Sequence, residues 1–291
     1  MIASRAFFPA GDAGRGIPTP RRRRDERHRR ERAPRTAWGN PAAGPELLDS
    51  RKNMKSWIVA TSGALLAFAM TTASGAQPRD SGALLRTIDH LVYATPDLAA
   101  GVKEIEALLG IHATPGGQHP GEGTRNALVA LGPTSYLEII GPDPDQGKPA
   151  GPRKFEIDDL KESRLVTWAA KGTNLTQIVA EARRCGVPVG DVIPGSRRTP
   201  TGVLLSWHIT NQRAFVANGL VPFFIDWGDT PHPAKSAAAG ATLISIRAEH
   251  PDPENVQRVL AALGLELPVV KGAKPSLIAT IAGTRGRVDL R

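Results

Sequence analysis

The 291-residue chain contains a single cysteine, Cys185. One thiol excludes an intramolecular disulfide framework, whatever the redox compartment. Cys185 closes an amphipathic helical pattern, so it reads as a small packed hydrophobe rather than a nucleophile, even with Arg183 and Arg184 beside it. Long apolar runs are also scarce. The best one follows Met54 and spans about 14 residues, too short for a stable membrane anchor. An excess of charge is lacking outside the N-terminus. Residues 1–53 hold 13 Lys and Arg against 6 Asp and Glu, whereas residues 77–291 hold 23 against 22. The near-neutral body gives no reason to expect nucleic-acid binding, despite the pI near 10.1.

The basic head has no hydrophobic period and is expected to be disordered and absent from the mature protein. After it, Met54-Lys55 opens a short basic segment, the apolar run follows, and Ser74 and Ala76 occupy the small-residue positions before Gln77. This is the layout of a bacterial Sec-type signal peptide over residues 54–76, which predicts a periplasmic or secreted protein with Met54 as its start. Residues 77–86 then read as a short linker.

From residue 87 a strand, helix, strands pattern recurs three times. Strands at 88–94, 165–170 and 242–248 each precede an amphipathic helix, and Gly110, Gly186 and Gly264 supply the stops. Pro96-Asp97 and Pro251-Asp252 punctuate two of the starts. Further strands are expected at 126–131, 136–140, 203–209, 222–227, 276–281 and 287–290. The modules span about 87–141, 164–228 and 241–291, and residues 231–240 read as a linker.

Two ionisable residues interrupt apolar strands, where burial without a partner is costly. His90 shares a face with Val92 and Ala94, and Glu138 shares one with Tyr136 and Ile140. An imidazole and a carboxylate suit Zn, Fe, Mn or Ni. Taken alone, His90 reads as a satisfied core or edge histidine, and it is Glu138 that turns the reading toward a cation or Arg partner. The segment Gly116–Gly123 reads either as a plain Gly-Pro connection or as a lid or anchor for a substrate carboxylate, with His119, Thr124, Arg125 and Asn126 as its substrate-binding groups.

The runs Asp89-His90-Leu91-Val92-Tyr93-Ala94-Thr95-Pro96-Asp97-Leu98, Gly116 to Leu128, Tyr136-Leu137-Glu138-Ile139-Ile140 and Val221 to Gly228 resemble the glyoxalase-like branch of the vicinal oxygen chelate superfamily. The resemblance implies an α+β fold of repeated βαβββ modules, forming cupped mixed sheets with helices on the outside. It also implies a divalent metal ion, bound from first and fourth strands, that chelates adjacent oxygens of a small-molecule substrate. Carried over, His90 and Glu138 are metal ligands. Thr167 stands where the second module would offer a His, and Ser245 and Asp289 occupy the corresponding places in the third. His208 is the nearest third ligand, and Asp226 the catalytic proton-transferring carboxylate. A lyase, isomerase or dioxygenase is one implied outcome, and a sequestering protein without turnover is the other. If modules pair, three per chain leave one open sheet, which predicts a homodimer joined through the third module, against a monomer in which that module packs on the other two.

Overall fold

Asp97 and Gly110 bracket the first long helix. The Asp97 carboxylate accepts from Ala100 N, and Gly110 adopts the left-handed conformation that ends a helix without steric cost. A computed structural model describes residues 81–291, so the basic head and the signal-peptide segment lie outside the described residues. The described chain opens with α1 (Ser81–Thr87), where a linker was expected. The first module follows as β1 (Ile88–Ala94), α2 (Leu98–Leu109), β2 (Thr114–His119), β3 (Thr124–Gly132) and β4 (Ser135–Pro142). The second is β5 (Arg164–Lys171), α3 (Leu175–Arg184), β6 (Val192–Arg198), β7 (Leu204–Thr210) and β8 (Phe223–Asp226).

These modules share one sheet in the order β2-β3-β4-β1-β5-β8-β7-β6. β1 pairs in parallel with β4 and antiparallel with β5, which joins the two halves. The sheet curls until its edges meet: an Arg197 Nη1 on β6 donates to Gly116 O on β2. The result is nearly a closed barrel. Its outer face packs Leu91, Leu137, Ile139 and Trp168 beneath Ile105 and Leu109 of α2 and Leu175 and Val179 of α3. Its inner face carries Val92, Ala94, Ile140, Ile209, Phe223 and Ile225.

Strands β2 and β6 were not expected from sequence, because Thr-Pro-Gly-Gly-Gln-His and Val-Ile-Pro-Gly-Ser-Arg-Arg carry turn residues. Tertiary pairing overrides the local preference, and Pro and Gly are tolerated on edge strands. The segment expected as a loop at Gly116–Gly123 is therefore half strand and half turn.

The third unit has β9 (Thr242–His250), α4 (Pro253–Ala262), β10 (Val269–Lys271), β11 (Ser276–Gly283) and β12 (Gly286–Leu290). Its element order repeats the others, yet its sheet runs β10-β9-β11-β12, so the first strand lies between the second and third. Leu243, Ile246, Leu277 and Ile281 join the same core as Leu109 and Trp168, and Leu165 N donates to Arg291 O at 2.8 Å. The apolar face of the third sheet is thus covered within the chain, as in the competing arrangement in which that module packs on the other two. Residues 231–240 also differ from the expected linker. They form a strap whose Ala234 and Ala237 pack on Leu128, Ala130 and Tyr136 at the inner face of the first module.

Candidate functional site

Alternation along β1, β3 and β4 sends His90, Asn126 and Glu138 to the barrel interior, and His119 reaches it from the end of β2. All four are buried. Glu138 is the hub. Asn126 Nδ2 donates to its Oε1 at 2.6 Å, His119 Nε2 stands 3.7 Å from the same oxygen, and His90 Nε2 stands 3.8 Å from Oε2. Asn126 Nδ2 also lies 3.4 Å from His119 Nε2, which makes that nitrogen the acceptor and leaves Nδ1 to donate to Thr124 Oγ1 at 3.0 Å. Burial, then the charges of Lys154 and Arg197, push the His119 pKa well below the usual imidazole range, consistent with this neutral tautomer.

Behind His90 lies a group that the sequence reading missed. Asp89, 1% exposed, faces His90 Nδ1 at 2.7 Å and His232 Nε2 at 3.1 Å, and accepts from Trp227 Nε1 at 3.1 Å. Burial alone would raise its pKa, but the hydrogen bonds from His232 and His90 outweigh that and lower it to about 2. His90 is fixed further by stacking on Tyr136, with ring centroids 4.7 Å apart. The only advance signal was Asp89 adjoining His90 in sequence. His232, which lies between Pro231 and Pro233, arrives on the strap.

Two cations complete the buried cluster. Arg197 is 3% exposed and Lys154 is 8% exposed. The Lys154 ammonium has one long hydrogen bond, 3.4 Å to Gln212 Oε1, and lies 5.8 Å over the Phe155 ring. Burial lowers the pKa of Lys154, against the opposing pull of Glu138 and Glu122, and burial lowers that of Arg197 against Tyr136 and Glu138. Lys154 sits in an irregular segment where Phe155 and Glu156 have φ of 60° and 55°. The loop before β8 is strained in the same way at Phe215, Ala217 and Asn218, with φ of 40°, 49° and 57°. Left-handed conformations at non-glycine residues cost of order 1 kcal/mol each and gather at functional sites. Arg213 fastens these loops together, donating to Pro152 O at 2.6 Å and to Glu122 Oε2 at 2.8 Å.

Other expected site residues lie elsewhere. His208 is not a ligand in this chamber: Ile209 takes the inward position on β7, so His208 is exposed on the opposite face. Asp226 is not placed for proton transfer there, because Phe223 and Ile225 face inward and its carboxylate accepts from Gly228 N at 2.9 Å, capping the turn after β8. Arg125 alternates outward from Thr124 and Asn126, pairing with Asp145 at 3.1 Å and Asp143 at 3.6 Å. Asp289 is exposed and paired with Arg247. Cys185 is exposed rather than packed.

The implied metal does not fit this donor set. Among the described residues no group of three or more His, Cys, Asp or Glu is arranged to hold an ion. The two imidazoles approach different oxygens of one carboxylate, and the buried cations Lys154 and Arg197 act on it electrostatically. The second module faces inward with Phe223 and Ile225, and Thr167 stands opposite Val92. A divalent cation would meet two buried positive charges with a single unpaired carboxylate.

A family profile described as a glyoxalase-like domain matches residues 88–264. Comparison with curated proteins gives no match. Among solved structures, the chain is similar to a hypothetical protein from Staphylococcus aureus, at 13% identity over 69% of this chain and 83% of that one, with a TM-score of 0.48. It is also similar to methylmalonyl-CoA epimerase from Mycobacterium tuberculosis, at 17% identity over 50% and 90%, with a TM-score of 0.34. A Streptomyces coelicolor methylmalonyl-CoA epimerase in complex with 2-nitronate-propionyl-CoA aligns at 18% identity over 50% and 96%, with a TM-score of 0.35. With the profile covering more than half of its length, the chain belongs to the glyoxalase-like family of the vicinal oxygen chelate superfamily.

Proposed function

We propose that the barrel interior binds a small organic anion and transfers a proton on it, with Glu138 as the base. The observation that carries this reading is the buried Lys154 ammonium, held by a single long hydrogen bond beside Glu138 and Arg197. Such a charge is costly for folding, and strained backbone holds it there.

The chemistry follows from placement. Glu138 removes a proton from a carbon next to a carbonyl, and the C–H electron pair moves onto the carbonyl oxygen. Lys154 and Arg197 stabilise the oxyanion in a buried site, where fixed charges act strongly. Return of a proton from Glu138 to the same carbon restores the carbonyl compound with its C–H hydrogen exchanged. Asp89 holds the His90 ring against Glu138, and Asn126 holds one carboxylate oxygen, leaving Oε2 for the substrate.

Proton exchange tests this directly. Small 2-oxo and 3-oxo carboxylates incubated with the protein in deuterium oxide are expected to lose C–H signals by NMR, and Glu138→Gln is expected to slow the loss about a hundredfold. Equal exchange by both proteins would overturn the assignment of Glu138. Binding without exchange would select the sequestering role.

The same reading makes the protein independent of a divalent ion. Loading with Zn, Mn, Ni or Fe is expected to leave no stoichiometric metal after desalting. One ion per chain, lost in the double variant His90→Ala, Glu138→Gln, would restore the metal-dependent alternative.

We also propose export, on the basis of the basic, apolar and small-residue succession at Met54 to Ala76. N-terminal mass spectrometry of protein from its native host is expected to find a chain beginning near Gln77. Intact chain containing Arg21 to Arg24 in the cytosol would contradict it.

A further inference from the structure

The barrel closes where β2 meets β6. Gly116 and Gly117 leave no side chains there, and a cleft of about 980 Å³ lies against this seam, between α2 and the two edge strands. Its walls have different chemistry. Leu98, Val102 and Ala113 line an apolar side, whereas Lys103, Arg197 and Asn126 contribute polar groups. Nearby Arg198 adds positive charge, Arg125 is already committed to Asp143 and Asp145, and Glu106 is the one carboxylate in the lining.

Asn126 Oδ1 is buried and has no hydrogen-bond partner. A Cβ placed on Gly116 would stand 2.1 Å from it, so this oxygen packs directly against Gly116 at the seam, and Asn126 is among the residues that line the cleft. An orphaned acceptor calls for a donor from a ligand, and the adjoining guanidinium calls for an anion. Trp227, Ala234 and Ala237 of the strap side pack against one end of the inner face, and Phe155 and Ile157 pack against the other.

We infer that the seam cleft binds an anionic amphiphile, a carboxylate with a hydroxyl or amide N–H near its head and an apolar tail of several carbons. The head lies at Arg197 and Asn126, and the tail runs along Leu98, Val102 and Ala113. The volume accommodates a ligand of that size. The inference names the substrate class for the chamber proposed above and rests on that reading for its chemical purpose, because the same Asn126 amide that accepts at the seam donates to Glu138.

Calorimetry with the full chain and three probes of one tail length separates the contributions. 3-Hydroxydecanoate is expected to bind saturably, decanoate about tenfold more weakly for want of the hydroxyl donor, and 1-decanol without saturation. Lys103→Glu and Ala99→Trp alter exposed cleft-lining positions of α2 and leave the core intact; each is expected to weaken 3-hydroxydecanoate at least tenfold. Decanol binding as tightly as the acids, or tight 3-hydroxydecanoate binding that both variants leave unchanged, would overturn the proposal. Absence of saturable binding by 3-hydroxydecanoate would do the same. Probe binding is read by calorimetry and proton exchange by NMR, so the two readings fail separately. Probe binding without proton exchange therefore removes the catalytic reading alone, and exchange on small oxo acids without probe binding removes the cleft alone.

Discussion

Replacing Trp168 by alanine is expected to cost about 3–5 kcal/mol of folding free energy. Trp168 is fully buried on β5, the strand through which the second module joins the first. Its ring belongs to the core shared by helices α2 and α3 and the third sheet, so truncation leaves a cavity that three packed layers cannot readily close. The indole Nε1 also donates to Leu220 O at 2.9 Å, and its loss strands a carbonyl in the interior. The neighbouring backbone has little freedom to adjust, because Gly219 has φ of 84° and a Cβ there would stand 2.0 Å from Val166 O. Urea denaturation at pH 7 measures the effect. A loss under about 1 kcal/mol would show that Trp168 does not hold these layers together.

Asp89→Asn is expected to lower stability by about 2–4 kcal/mol at neutral pH, since a buried carboxylate that faces His90, His232 and Trp227 is replaced by an amide able to satisfy only part of that set. The pH dependence has a definite sign. Folding depresses the Asp89 pKa from 3.8 to about 2, so its contribution is complete above about pH 4 and is lost as the pH falls toward 2. The gap between the two proteins should therefore narrow over that window. A gap independent of pH from 5 to 2 would mean that the carboxylate charge is not what stabilises the site. His119 acts in the same direction at higher pH: its depressed pKa makes the folded state bind fewer protons, so stability falls as the pH drops below about 6.5.

Legibility in the sequence tracked how local each signal is. Helices α2 and α4 were readable because Asp97 and Asp252 accept at their starts, and Gly110 and Gly264 stand just beyond their ends. His90 and Glu138 were readable as inward-facing partners because strand alternation is fixed by the pleat. The same rule placed His119, Thr124 and Asn126 together only once β2 was known to be a strand, and it turned Arg125 outward. His208 and Asp226 were misplaced because which residues of β7 and β8 reach the interior depends on the phase of each strand, and Ile209, Phe223 and Ile225 take the inward positions.

The sequence by itself determined the three strand, helix, strands units, the family resemblance and the carboxylate–imidazole pair at Glu138 and His90. Each of these rests on neighbours in the chain or on the two-residue period of a strand. Only the tertiary structure decided what surrounds that pair. Lys154, Arg197 and His232 come from an irregular loop, an edge strand and a strap, separated by dozens of residues and carrying no local pattern that marks them as buried. The closure of β2 on β6 and the different strand order of the third sheet likewise depend on long-range pairing. Burial converts these ordinary polar residues into a chamber, because removal from water is what makes each charge require the others.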